Sequence, residues 1–344
     1  MFYYSREGVM DNRVSVVLLN YNGHTDTVPC LESLLKSDYP IEEVVIVDNN
    51  SSDNSVELIT NWLLGKSNHK YIYDKECFPL EKKPIEYSLY YNSEYGIKLI
   101  KEDASKKKKT DITIIQNYSN DGFSAGNNVA LKYLMNKKAD IIWLLNNDTI
   151  VKKNSLSQMI KLYNSLSDKR AIIGSCLYYN DRRDVIQAFG GGCVNFITGK
   201  VYSMEKPGNV DYITGASLLI PALGFSEIGL LDEKYFMYWE DSDYSMRAKK
   251  KKWTIRVASD SIIFHKHNSS ADRENNKSNY FRDVCTAKGA LRFFIKHAGV
   301  LGLIPIFFRM ISALFKRIRK SSFREFLVII LKVLLRLGAK KNKI

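Results

Sequence analysis

Short apolar runs that end on amide or carboxylate side chains constrain this chain more than any other feature. Val14-Ser15-Val16-Val17-Leu18-Leu19 runs into Asn20-Tyr21-Asn22-Gly23. Val44-Val45-Ile46-Val47 runs into Asp48-Asn49-Asn50, and Ile141-Ile142-Trp143-Leu144-Leu145 into Asn146-Asn147-Asp148. Runs of this length, rich in β-branched residues and bounded by turn formers, predict buried strands. Between the first two, Val28, Leu31, Leu34 and Leu35 have helical spacing across Thr25 to Lys36. Asp53 or Asn54 can cap a second helix that carries Val56, Leu58, Ile59 and Trp62. Strand, helix, strand, helix predicts an α/β fold with a doubly wound, mostly parallel sheet. In such a sheet the carboxyl ends of the strands form one rim, and acidic residues there mark a nucleotide site.

The pattern pauses from about Ser67 to Asp111, a Tyr-, Lys- and Glu-rich stretch read as an excursion over the surface, with Lys106 to Lys109 as a solvated loop. Ile112-Thr113-Ile114-Ile115 resumes the sheet, and Phe123 to Asn128 leads into a helix through Ala130, Leu131 and Leu134. Ala171 to Ser175, Ser217 to Ile220 and Ile262 to Phe264 are later strands. Phe281 to Ile295 reads as a helix. From Val300 onward large apolar residues alternate with Arg and Lys, as in Leu314-Phe315-Lys316-Arg317-Ile318-Arg319-Lys320. Basic amphipathic helices of this type lie at anionic membrane surfaces; a helical cap or an oligomer contact is the alternative. The domain division expected is 1–270 for the α/β unit and 271–344 for the helical, membrane-surface region.

Charge narrows the partners. With 51 Lys+Arg against 37 Asp+Glu, the net charge is +14, which favours polyanions. Basic residues interleaved with exposed aromatics in a nucleic-acid-binding module are not found, so nucleic acid is not the partner expected. The five cysteines have no metal-type spacing and read as free thiols in a reducing compartment. No apolar leader is visible. The longest apolar stretch, Ala298 to Phe308, contains Pro305 and falls short of the ~20 residues of a spanning helix. A cytoplasmic protein attached to the inner face of the membrane is the expectation.

Two segments carry the chemistry. Tyr238-Trp239-Glu240-Asp241-Ser242-Asp243 places three carboxylates at the start of a basic helix, where the helix N-terminus favours their ionised form. Any of them could serve as a general base, bind acceptor hydroxyls or cap the helix. Phe264-His265-Lys266-His267 offers two imidazoles at a strand end, and either His265 or His267 could join a carboxylate on a metal. Asp148 can be that carboxylate: a diphosphate needs a divalent cation held by few protein oxygens, with sites left open for phosphate. Asp48, followed by Asn49, Asn50, Ser51 and Ser52, could bind a base or ribose, or simply close a turn.

Taken in order, residues 14–22, 44–55, 120–128, 146–149 and 238–247 resemble the family-2 glycosyltransferases, specifically their bacterial rhamnosyltransferase-like and galactofuranosyltransferase-like branch. The resemblance covers about residues 13–270. Two departures stand out: the long central excursion, and Asn146-Asn147-Asp148 where the family carries a DxD triplet. The resemblance implies a GT-A fold, a nucleotide-sugar donor, Mg²⁺ or Mn²⁺, and inversion at the anomeric carbon. It implies Asp241 as catalytic base and Asp148 with His265 as metal ligands. Donor contacts fall to Asn20, Asn22, Asp48, Asn120, Gly122, Phe123, Asn127, Asn128, Asn146 and Asn147. Acceptor contacts fall to Trp239, Glu240 and Asp243. The branch points to dTDP-rhamnose as donor, with UDP-hexose or galactofuranose as alternatives, and to a lipid-linked saccharide acceptor in bacterial surface polysaccharide synthesis. A non-catalytic sugar-nucleotide or polysaccharide-binding protein is the competing class; it would not need Asp241. A nicotinamide dehydrogenase would show GxGxxG after the first strand, where this chain has Asn20-Tyr21-Asn22-Gly23.

Overall fold

A computed structural model describes residues 12–102, 110–266 and 277–318. The Lys106–Lys109 run, His267 and the chain beyond residue 318 lie outside the described residues. The elements in order are β1 (Val14–Asn20), α1 (His24–Leu34), β2 (Ile41–Asp48), α2 (Ser55–Leu63), β3 (Ser88–Ser93), β4 (Gly96–Lys101), β5 (Asp111–Asn117), α3 (Gly122–Asn136), β6 (Ile141–Asn146) and β7 (Thr149–Val151). There follow α4 (Ser155–Ser165), β8 (Ala171–Tyr179), β9 (Ile186–Phe189), β10 (Gly191–Val194), β11 (Val201–Ser203), β12 (Tyr212–Ile213) and β13 (Ser217–Pro221). The last are α5 (Ala222–Glu227), α6 (Glu240–Lys250), β14 (Thr254–His265), α7 (Lys277–Ala298) and α8 (Leu303–Ile318).

The main sheet runs β4-β3-β5-β2-β1-β6-β13-β8-β14-β7, with β9 alongside β8. Its centre, β3-β5-β2-β1-β6, is parallel throughout. Successive residues of β1 serve opposite faces. Val16 and Leu18 pack with Leu31, Ile59 and Met159 from α1, α2 and α4. Val17 packs with Leu131, Phe225 and Tyr244 from α3, α5 and α6. Burial on both faces explains why the strands read as unbroken apolar runs. Each such side chain contributes about 1.5–3 kcal/mol on leaving water.

The 67–111 stretch is more than a surface excursion. Its second half adds β3 parallel to β5 and β4 antiparallel to β3, extending the sheet at one edge. Its first half packs on the α1–α2 side, where Trp62 donates to the Tyr73 hydroxyl at 2.7 Å and the Cys77 thiol to the Pro29 carbonyl at 3.4 Å. Asp53 rather than Asn54 serves the start of α2, accepting the Ser55 N–H at 3.0 Å.

A small antiparallel sheet, β11-β10-β12, and α7 close the other end of the molecule. Phe293, Phe294 and Ala290 of α7 bury against Trp239, Tyr235, Tyr212 and Val194. Past α7 a short 3-10 turn, with Val300 and Leu301 exposed, leads into α8, where Leu303 and Phe307 are exposed. Phe281–Ser312 is long and apolar enough to cross a membrane by length and composition, which the sequence pattern had not led us to expect. The charges that interrupt the apolar residues account for the difference. Arg292 and Lys296 both pair with Asp232, and Lys296 also reaches Asp243, so these two cations tie α7 to α6 and the loop before it.

Candidate active site

Parallel pairing brings Asn20, Asp48, Asn117 and Asn146 to one rim. Their side chains hold one another. Asn20 Nδ2 donates to Asp48 Oδ1 at 2.8 Å, the Thr27 hydroxyl donates to Asn20 Oδ1 at 2.7 Å, and Asn147 Nδ2 donates to Thr27 Oγ1 at 2.8 Å. A second chain runs from Asn117 Nδ2 to Asn49 Oδ1 at 3.0 Å, and from Asn49 Nδ2 to Asn120 Oδ1 at 2.8 Å. Amides suit such chains because each carries both donors and acceptors. Asn22 joins the rim by accepting the Ser52 N–H at 2.8 Å.

The β7–β14 pairing sets His265 opposite Thr149 and so beside Asp148. His265 Nε2 lies 3.2 Å from Asp148 Oδ1 and 3.4 Å from the Asn146 amide nitrogen. On the other side of the ring, Nδ1 meets Gln187 Oε1 at 2.6 Å. An amide oxygen there accepts the Nδ1 proton and turns the Nε2 lone pair toward the carboxylate. Two such electron-rich atoms need a cation or a proton between them, so the donor set fits a divalent metal. No group of three His, Cys, Asp or Glu ligands occurs among the described residues, which leaves coordination positions for diphosphate oxygens and water.

Asp241 sits in the first turn of α6. Its Oδ2 accepts the Gly215 N–H at 3.1 Å, and its Oδ1 accepts the Ser242 N–H at 2.6 Å and the Ser242 hydroxyl at 3.2 Å. The next residue after Gly215, Ala216, accepts the Asn146 N–H at 3.1 Å. Asp241 is thereby tied through Gly215-Ala216 to Asn146, two residues from Asp148. Glycine at 215 leaves room: a methyl there would meet the Phe123 ring at 3.4 Å and Asp241 Cβ at 3.7 Å. Tyr238 and Trp239 precede α6 at φ 70° and 76°. Two bulky residues in left-handed conformation cost about 1–3 kcal/mol each and are typical of functional loops.

Several residues expected at the site are spent on the scaffold instead. Asp243 is wholly buried and meets Arg247, Lys296, His297 and the Tyr235 hydroxyl, so it has no surface to offer an acceptor. Trp239 packs on Phe293 and Phe294 and donates to the Thr286 carbonyl at 3.1 Å. Asn128 holds the 231–233 loop, donating to the Leu231 carbonyl and accepting the Leu231 N–H. Gly122, at φ 93°, is a packing glycine; a Cβ there would come within 2.2 Å of the Phe236 carbonyl. Asn127 donates to the Phe123 carbonyl one turn earlier in α3. Asp48 is 1% exposed and accepts from Asn20 and from both donors of Ser51, which closes the turn after β2.

Sequence reasoning missed Thr27, Asn49, Asn117, Gln187 and Gly215. Asn49 and Asn117 stood at strand ends and were within reach of the same logic. Gln187 and Gly215 act only through contacts between elements far apart in the chain. A groove lined by Leu35, Lys36, Asp38, Pro40, Pro79 and Lys153 lies beside the start of β2, away from this rim.

Family comparison meets the geometry at this point. The Glycosyltransferase like family 2 profile matches residues 87–286, more than half of the chain, and the Glycosyl transferase family 2 profile matches residues 15–76. The chain belongs to glycosyltransferase family 2. Among curated family relatives, the low-salt glycan biosynthesis hexosyltransferase of Haloferax volcanii is 25% identical over 179 residues, 49% of this chain and 56% of its own length. The N-acetylglucosaminyl-diphospho-decaprenol L-rhamnosyltransferase of Mycobacterium tuberculosis is 37% identical over 67 residues, 19% of this chain and 21% of its own. The chain thus spans little more than half the length of the one and about a fifth of the other. Among solved structures, the mannosyltransferase PcManGT of Pyrobaculum calidifontis, in complex with GDP-Man and Mn²⁺, superposes with a TM-score of 0.51 at 12% identity over 95% of this chain and 76% of that one. GalNAc-T7 with UDP, GalNAc and Mn²⁺ gives 0.53 at 13% identity over 85% and 48%. At these identities the likeness establishes the GT-A fold.

Proposed function

We propose that the protein is an inverting, metal-dependent glycosyltransferase that moves a sugar from a nucleotide donor to a hydroxyl of a saccharide acceptor. The observation that carries this reading is the tie from Asp241 through Gly215-Ala216 to Asn146, which links a candidate base to the strand end that carries the candidate metal ligand Asp148. The nucleotide lies along the amide rim, near Asn22 and Asn120 and over the buried Asn20–Asp48 pair, and the donor sugar reaches toward Phe123 and Gly215. Asp241 takes the proton of the acceptor hydroxyl while that oxygen forms its bond to the anomeric carbon. The bond from that carbon to the diphosphate oxygen breaks on the opposite face, and the electron pair leaves with the nucleoside diphosphate. Asp148 and His265 would hold Mg²⁺ or Mn²⁺, which would neutralise the charge on the leaving diphosphate. PcManGT and GalNAc-T7, both solved with Mn²⁺, support this cofactor class.

The donor we favour is dTDP-rhamnose. The Mycobacterium tuberculosis relative is named an L-rhamnosyltransferase, and its name gives a diphospho-decaprenol substrate, which supports a lipid-linked acceptor here too. UDP-sugars are the second reading, favoured by the UDP held in GalNAc-T7. The exposed apolar face of α8 supports attachment to an anionic membrane surface. A thermal-shift panel of dTDP-, UDP- and GDP-sugars with Mn²⁺ tests the donor assignment, because a ligand bound at 100 times its Kd adds about 2.7 kcal/mol of stability. A Mn²⁺-dependent shift with dTDP-rhamnose is expected. No shift with any nucleotide sugar would remove the enzymatic reading. Binding to anionic but not neutral vesicles, lost when residues 300–344 are deleted, is expected of the membrane assignment; equal binding without them would remove it.

A further inference from the structure

Two carboxyl groups at the head of α6 receive opposite treatment from their surroundings. Asp241 accepts three hydrogen bonds, from the Gly215 N–H, the Ser242 N–H and the Ser242 hydroxyl. Glu240, its chain neighbour, is 7% exposed, and its Oε2 has no hydrogen-bond partner among the described residues. Hydrogen bonds to a carboxylate favour the ionised form, whereas burial without them favours the neutral acid. Adjacent buried carboxyls titrate as a pair, and the first proton is lost from the better-solvated member. The left-handed backbone at Tyr238 and Trp239 leads into the first turn of α6, where the two groups are consecutive and the Asp241 charge acts on Glu240.

We propose that Glu240 and Asp241 share a single proton at neutral pH, that Glu240 carries it, and that Glu240 is thereby the positioning residue that keeps Asp241 ionised. Only the last clause rests on the glycosyl-transfer reading; the shared proton stands on the pair itself. The other groups bearing on Glu240 do not undo this. Asp243, on the same helix, is paired with Arg247 and Lys296 and hydrogen-bonded to the His297 ring. Cys285 of α7 is a neutral thiol, pushed up to about 11 by burial although Lys288 lies near it. Burial and the Asp241 charge push the Glu240 carboxyl well above the ordinary range, against a weaker pull from its own backbone N–H. Burial raises Asp241 as well, but its hydrogen bonds from Gly215 and Ser242 pull it back.

The signature is a pH dependence that needs no substrate. A glutamate raised in the native state holds a proton that the unfolded chain has released. Stability therefore falls as pH rises from the ordinary carboxyl value, about 4.3, toward the native one. Glu240→Gln removes that slope. Melting the full chain and this variant from about pH 5 to about pH 8 should show the variant melting higher, with the gap widening by about 2 °C per pH unit. Infrared difference spectra provide a second readout that does not depend on how the variant folds. The wild type should keep a neutral-carboxyl carbonyl band at neutral pH. Asp241→Asn should move the loss of that band to lower pH, because the neighbouring charge is gone. A gap that stays flat with pH, or a band already absent at about pH 7, would overturn the proposal. Neither readout involves a donor, so survival of sugar transfer in Asp241→Asn would instead count against the glycosyl-transfer reading alone.

Discussion

The strand-end rim and the head of α6 are joined through Gly215-Ala216, yet they handle polarity in different ways. At the rim, amides and hydroxyls satisfy one another in closed chains such as Asn147–Thr27–Asn20–Asp48. At α6 the chain carries left-handed aromatics, an acid with an oxygen left over and a base raised by burial. The rim is a surface set in advance by strand register, suited to binding. The α6 head stores strain and charge, which suits proton transfer at neutral pH. Within α6 itself the contrast recurs, since Asp243 has every charge matched and Asp241 does not.

Substitutions can break this contrast or sharpen it. Asp241→Asn should lower transfer by about 10²–10⁴-fold while leaving the donor-induced thermal shift intact. Full turnover in that variant would move the base elsewhere. Asp148→Ala should cost about 10²–10³-fold and abolish the Mn²⁺ dependence of the donor shift, because it removes stabilisation of the leaving diphosphate. Asp243→Ala should act on folding rather than chemistry, destabilising by about 3–5 kcal/mol by leaving buried cations unmatched. Burial alone would raise the Asp243 carboxyl, but His297, Lys296 and Arg247 outweigh it and hold the group well below the usual range. Its contribution is then complete above about pH 4 and is lost as pH falls below that. Acid melts of wild type against Asp243→Asn should converge on that side. Gly215→Ala should give the smallest effect, about tenfold in turnover with a normal melting temperature, since the added methyl narrows the gap between Phe123 and Asp241 without a clash.

The parallel core was legible because β1, β2, β5 and β6 are buried on both faces and therefore read as continuous apolar runs. The 67–111 stretch was not. The exposed strand β4 alternates Lys98 and Lys101 with Ile97, Leu99 and Ile100, and such a pattern on a sheet edge resembles a solvated loop. Asp148, His265 and Asp241 were singled out by the family resemblance; residue type alone left Glu240, Asp243 and His267 open. The demotion of Asp243, Trp239 and Asn128 could not be read from either, because their partners come from α7 and the 231–233 loop, far along the chain. Gln187 shows the same limit: nothing near it in sequence announces a histidine to orient.

One measurement reaches the centre of the account: anomalous diffraction from crystals grown with Mn²⁺ and a nucleoside diphosphate. The account predicts a manganese peak between the Asp148 carboxylate and His265 Nε2, with diphosphate oxygens completing its shell. Asp241 should then stand across a sugar-sized gap beside Phe123 and Gly215. A manganese peak bound by other residues, or a nucleotide lying away from the Asn20–Asp48 rim, would contradict it.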